Sequence, residues 1–150
     1  DIWGVIQKQA NKGADIFFKE IRESYGMSHI YRKSSVSKIY DLIKNNKIII
    51  LASDQNAKKR GVIVDFFENK TSVPKGAALF HLRTDVPLIF SVSHKELDGT
   101  IVISFENINV ESKTIEGITQ DYTSKLEQKI RQYPDHYFWF HRKWSQNYRK

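Results

Sequence analysis

The residues best suited to chemistry follow the most apolar run of the chain, Ile48-Ile-Ile-Leu-Ala52. Asp54, Gln55, Lys58, Lys59 and Arg60 come next, closed by Gly61. Three consecutive cations beside a glycine suit a phosphate, because arginine grips it with a planar fork and lysine offers a point charge. The same stretch also reads as a solvated surface loop, with Asp54 serving as a base, an orienting carboxylate or simply the partner of Arg60. A second anion site is expected where Pro74 starts a helix, since the free N–H groups of the first turn and Lys75 would face one ligand. The third candidate is the tail. Seven aromatic residues lie between Tyr133 and Tyr148, interleaved with His136, His141, Arg142, Lys143 and Arg149. Rings with polar handles among cations fit a membrane interface or an anionic ligand. The plainer reading is a C-terminal helix whose Trp139 and Phe140 fill a core while Arg142 and Lys143 stay in water.

Other chemistries have no foothold in the sequence. The chain has no cysteine, so disulfides, thiolate catalysis and cysteine-based zinc sites are excluded. None of the five histidines has an acid five residues later: the positions reached are Ser34, Val86, Gly99, His141 and Gln146. No zinc-protease histidine pair, phosphate-binding Walker loop, nucleophile elbow or calcium loop occurs. We therefore assign no catalytic residue, metal ligand or cofactor within these residues. A formal charge of +7 calls for anionic partners, whether phospholipid headgroups, nucleic acid or a phosphorylated substrate.

The elements that must position these groups alternate between strand and helix. Ile2–Ile6 reads as a buried strand, and Ala14–Tyr25 as a helix with Phe17 and Ile21 on one face, stopped by Gly26. His29–Tyr31 is a short strand. Ser35 is the N-cap of a helix carrying Val36, Ile39, Tyr40 and Ile43 at helical spacing, and Asn45-Asn46 ends it. Ile48–Ser53 has the continuous apolar character of a central parallel strand. After the polar loop, Val62–Phe66 is a strand, residues 67–73 are a loop and Pro74–Arg83 is a helix. Val86–Ser93 and Thr100–Glu106 are strands joined around Asp98-Gly99. A last helix spans Ile115–Gln132 and stops before Pro134. The sum is one α/β domain, a mixed and mostly parallel sheet flanked by helices, with an antiparallel hairpin toward its C-terminal half. Ligands of such sheets bind beyond the carboxyl ends of parallel strands, which favours the loop after Ile48–Ser53. The longest apolar run is far short of the roughly 20 residues a membrane span needs. Asp1 opens directly into Ile2–Ile6 without an initiator methionine, which reads as the start of a fragment.

Several segments, taken in order, resemble the bacterial lipid A biosynthesis acyltransferases, within the lysophospholipid acyltransferase superfamily. Asp54-Gln55 followed by Arg60-Gly-Val-Ile-Val-Asp-Phe-Phe67 is similar to the family's "DQ … GVFVxFFG" block. Pro74-Lys-Gly-Ala-Ala78 with Arg83-Thr84 and Val86-Pro87 resembles "TPxGxA … RTGAPV". Pro134-Asp-His-Tyr-Phe-Trp-Phe-His-Arg-Lys-Trp144 resembles the "P-x-Q-x-x-W-x-HRRW" ending. The match is to the C-terminal two-thirds of the family. Five positions depart from it: Ile6-Gln7 stands where the family has Tyr-Arg, with Lys8 the nearest substitute cation; Val73 replaces a threonine, Glu68 a glycine and Phe90 a proline.

The resemblance implies transfer of a fatty acyl chain from an acyl carrier protein thioester to a hydroxyl of a phosphorylated glycolipid. It places the reaction at the cytoplasmic face of the bacterial inner membrane, with an anionic membrane surface as a partner, no nucleic acid and no cofactor. The family's base, a histidine with an acid five residues later, lies upstream of the strand matching Ile2–Ile6, so residues 1–150 alone are expected to be inactive. Substrate contacts carried over are Asp54, Gln55 and Arg60, with Lys58, Lys59 and Lys75 for phosphate groups and His141 and Arg142 in the tail. The rival reading is a non-catalytic basic module that binds anionic membranes or nucleic acid.

Overall fold

The computed structural model describes residues 1–32, 34 and 36–144. Ser35, expected as an N-cap, and Tyr148 and Arg149 of the tail lie outside the described residues. The chain divides into two compact units, residues 1–52 and 53–150. The α/β class is as expected, and its parallel and antiparallel strands form three separate ladders.

The first unit is built as β1 (Ile2–Ile6), α1 (Lys12–Ser24), β2 (Met27–Tyr31), α2 (Val36–Lys44) and β3 (Ile48–Ile50), with the parallel order β2-β1-β3. Asn11 caps α1 by accepting the Ala14 N–H at 3.0 Å, and Asp15 suits the positive end of the helix dipole. The Asp15 carboxylate also accepts the Gln9 N–H and the Tyr31 hydroxyl, each at 2.8 Å, and these two bonds hold its pKa below the usual carboxylate range. Gly26, at φ +78°, ends the helix in the left-handed region. No residue of α1 is buried, and its Phe17 is 57% exposed.

One sequence expectation for this unit is corrected. The apolar run at Ile48 is an edge of its ladder, with Ile48 and Ile50 exposed, and β1 pairs on both sides. An unbroken apolar run reports that a strand tends to be covered, not which neighbours it pairs with. The strand also ends at Ile50 rather than Ser53.

The second unit contains β4 (Val62–Phe66), β5 (Asn69–Val73), α3 (Gly76–Thr84), β6 (Ile89–Lys95), β7 (Ile101–Asn107) and α4 (Ile115–Gln132). Val62, Val64 and Val73 form a core with Ala78, Ile118 and Tyr122. β4 alternates strictly, Val62, Val64 and Phe66 inward and Ile63 and Asp65 outward, the period a strand imposes. Thr114 caps α4 through the Gly117 N–H. That helix lies along β4 and reaches its main chain: the Gln120 side-chain amide accepts from the Asp65 N–H at 2.8 Å and donates to the Asp65 carbonyl at 2.9 Å. Glu127 accepts the Phe67 N–H at 2.7 Å.

Two further expectations change here. Residues 67–73 are not a loop: Phe67 and Glu68, at φ +50° and +61°, make a two-residue turn from β4 into β5. Hairpin turns of that hand usually announce themselves with Asn-Gly or Asp-Gly, and the polar β5 sequence gives no strand signal of its own. Helix α3 begins at Gly76, with Lys75 in the capping position, so Pro74 precedes the helix instead of opening it. Its carbonyl is held by the Tyr122 hydroxyl, whose pKa burial pushes up to about 12. The Asp98-Gly99 hairpin forms as expected, with Gly99 at φ +92°.

Candidate functional site

The polar loop between Asp54 and Gly61 lies wholly in the second unit. Lys58, Lys59 and Arg60 form a single 3-10 turn, all three exposed, as are Asp54 and Gln55. Gly61 is pinned against β5: a Cβ there would lie 2.4 Å from both Ser72 Oγ and the Val73 carbonyl, so only glycine lets the loop enter β4 so closely. Because Val62 pairs with Val73, Arg60 and Lys75 both sit just beyond the same end of the β4–β5 hairpin, where α3 begins. The topology thus gathers Lys58, Lys59, Arg60 and Lys75 at one end of one hairpin.

The tail ties this loop down. His141 Nε2 accepts the Asn56 N–H at 2.9 Å, so that nitrogen carries no proton and Nδ1 bears the ring hydrogen. The Lys143 carbonyl accepts from the Asn56 side-chain amide and, at 2.7 Å, from the Thr71 hydroxyl. Lys143 Nζ donates to the Asp54 carbonyl and lies 5.2 Å from the centre of the Phe66 ring. Within the loop, Asn56 accepts the Lys58 N–H at 2.7 Å, and the Ser72 hydroxyl donates to the Lys58 carbonyl at 2.6 Å. Lys143 is only 1% exposed, and burial pushes its pKa down to about 8, opposed by the nearby negative charge of Asp54.

The plain reading of the tail is corrected by this arrangement. Among the described residues no α-helix follows Gln132; a 3-10 turn at Pro134–His136 leads into turns. Lys143 is buried rather than solvated, and Phe140 is 89% exposed rather than in a core. The aromatic residues divide in two. Trp144 stacks on Phe66 with centroids 5.6 Å apart and donates its indole N–H to the Phe66 carbonyl, while Trp139 packs on Phe67 at 5.8 Å. Phe138 and Phe140 pack on each other at 5.8 Å and face outward, beside the exposed Arg142.

Asn56, Thr71 and Lys143 were missed as parts of the site. The cluster Asp54, Gln55, Lys58, Lys59, Arg60 with His141 is brought together, Lys75 shares its end of the hairpin, and Arg142 is exposed on the tail. The remaining histidines sit elsewhere. His94 Nε2 lies 2.8 Å from Glu96 with its ring stacked on Tyr133 at 3.9 Å; His136 contacts Asp135 at 3.0 Å; His29 lies 3.5 Å from Glu23; and His81 Nδ1 meets the Val86 carbonyl at 2.7 Å. Among the described residues no group of three or more histidine or acidic side chains is placed to hold a metal ion, and no helix is long and apolar enough to cross a membrane.

The chain matches the family model for bacterial lipid A biosynthesis acyltransferases over residues 2–146. No curated protein matches it. That span takes in the polar loop, the hairpin that carries it and the tail that fastens it. The chemistry of such a family joins an acyl donor to a lipid acceptor, and this protein belongs to the bacterial lipid A biosynthesis acyltransferase family.

Proposed function

We propose that the protein is an O-acyltransferase that moves a fatty acyl chain from an acyl carrier protein thioester to a hydroxyl of a phosphorylated lipid A precursor. The observation that carries the reading is the cation-bearing loop 54–60, fixed at one end of the β4–β5 hairpin within a family match over residues 2–146. Lys58, Lys59, Arg60 and Lys75 would bind phosphate groups of the acceptor or of the donor's phosphopantetheine, and Asp54 and Gln55 would orient the reacting groups. The acceptor hydroxyl attacks the thioester carbonyl, the carbon–sulfur bond breaks, an ester forms and the thiol leaves with a proton. The hydroxyl proton goes to a general base. The base in this reading would be a histidine with an acid five residues on, as the resemblance implies. No histidine here has that spacing, so residues 1–150 act as the binding part and are inactive by themselves. His141 is not the base through Nε2, whose lone pair is engaged by Asn56. The exposed Phe138 and Phe140 beside Arg142 suit a peripheral seat on the cytoplasmic face of the inner membrane, where a cation near anionic lipid adds about 1 kcal/mol.

The test is turnover by the full-length gene product with acyl carrier protein thioester and a phosphorylated glycolipid. Arg60→Ala is expected to lower kcat/KM for the acceptor about 10- to 100-fold without unfolding the protein. Normal turnover by that variant would remove Arg60 from the site. Absence of acyl transfer by the full-length wild type, together with salt-sensitive binding to anionic vesicles, would favour a non-catalytic membrane-binding module.

A further inference from the structure

A buried lysine is costly unless its charge is used, and among the described residues Lys143 has no carboxylate as a hydrogen-bond acceptor. Its ammonium instead holds the first carbonyl of the candidate substrate loop, while its own carbonyl collects Asn56 from the loop and Thr71 from β5. Two residues earlier, His141 takes the Asn56 main-chain N–H. One residue later, Trp144 is anchored to Phe66 on β4. Every one of these contacts converges on the start of the loop or on the hairpin beneath it. The loop's own main-chain bonding is sparse: Ala57 N–H reaches the Ser72 carbonyl, and Arg60 N–H reaches Ala57.

We propose that Lys143 is a positioning residue for acyl transfer: it fixes the 54–60 loop in one conformation, so that Lys58, Lys59 and Arg60 meet a phosphate-bearing ligand already ordered, without touching that ligand itself. The role rests on the acyltransferase reading for its purpose but not for its existence. Preordering a loop removes an entropic cost from binding. The buried charge also adds to the positive field in which the anion sits. The charged group that acts on it is Asp54 on the loop, which also acts on Tyr137 of the tail, and His141 lies two residues before it; Phe66 and Thr71, which it touches from β4 and β5, do not titrate. Its ammonium is charged below about pH 8 and neutral above, so anion affinity is strongest below that point.

The experiment compares wild type, Lys143→Met and Lys143→Arg in the full chain, using amide hydrogen exchange at Asn56 and Ala57 and binding of inorganic sulfate, which keeps its charge across the range. Lys143→Met is expected to raise exchange at both amides about tenfold and to weaken sulfate by a similar factor, with Lys143→Arg recovering part of each. Wild-type sulfate affinity should fall as pH rises through about 8, and that fall should vanish in Lys143→Met. In the full-length enzyme, Lys143→Met should raise KM for the phosphorylated acceptor more than it lowers kcat. Unchanged exchange in Lys143→Met, no sulfate binding by wild type, or a sulfate affinity flat across pH 8 would each overturn the proposal. If Lys143→Met does not fold, the wild-type pH profile and Asn56→Ala, which removes the amide bond to Lys143, decide the matter by the same criteria. Sulfate binding and loop protection as expected, with no acyl transfer by the full-length wild type, would sink the acyltransferase reading and leave the positioning role standing.

Discussion

Residues 1–52 and 53–150 are built from the same kinds of element but hold their apolar surface differently. In the second unit, β4 sends Val62, Val64 and Phe66 inward, and α3 and α4 answer with Ala78, Phe80, Ile118 and Tyr122. In the first, Ile30 and Ile39 are buried, while Phe17, Phe18, Ile21, Ile48 and Ile50 face outward. Both units form regular hydrogen-bonded ladders. The difference teaches that strands and helices form from local pattern, whereas a core needs a partner for each apolar face. In the second unit α4 and the tail supply that partner for β4, whereas the β6–β7 hairpin keeps Ile89, Ile101, Ile103 and Phe105 exposed.

The sharpest way to break the comparison is to empty one side chain in each unit. Phe66→Ala should cost about 3–5 kcal/mol, because the ring is fully buried and carries Tyr137, Trp144 and the Lys143 ammonium; Phe17→Ala should stay within about 0.5 kcal/mol. Urea denaturation of each variant measures both, and equal losses would mean α1 is covered as well as β4 is. Gly61→Ala comes next, at about 1–3 kcal/mol, because the new methyl meets the Val73 carbonyl, which cannot move aside as a side chain can.

A pH series sharpens the contrast further. The pKa of Lys143 is lower folded, about 8, than unfolded, so between those values the unfolded chain binds the extra proton. Stability should therefore rise from about pH 8 to 9, by about 1 kcal/mol, and the rise should reverse as the pH nears 10, because the unfolded chain then ionises Tyr122 and Tyr137, whose folded pKa values are raised from 10.0 to about 12. Denaturant melts of Lys143→Met should lack that rise, and a wild-type melt flat across the range would mean the lysine is solvated. The smallest effect on stability is expected for the double change Phe138→Ser and Phe140→Ser, within about 0.5 kcal/mol since both rings are exposed. The same variant should lose most binding to anionic vesicles in a sedimentation assay, and unaltered binding would remove the pair from the membrane-contact reading.

Much of the fold was legible because its signals are periodic. The spacing of Ile118, Tyr122, Leu126 and Ile130 marked α4 to the residue, and Asp98-Gly99 marked the β6–β7 turn. The β4–β5 turn was not, because Phe67 and Glu68 adopt positive φ without the residue types that normally allow it, held by Glu127 from a distant helix. At the site, the run Lys58-Lys59-Arg60 announced itself by charge. Lys143 did not: by composition a tail lysine beside an arginine belongs in water, and only the folded chain shows which one goes inside. Burial set by long-range contacts, such as that between residues 143 and 54, leaves no trace in local spacing.

The amide of Gln120 has a further effect. In an antiparallel ladder, the N–H and carbonyl of Asp65 point away from β5, and they would be open to any extended peptide laid alongside. Gln120 satisfies both with a side chain shaped like a peptide unit, and Glu127 occupies the next N–H at Phe67. Gln120 and Glu127 thereby cover the outer border of the hairpin from Asp65 to Phe67, so that stretch resists pairing with a second strand.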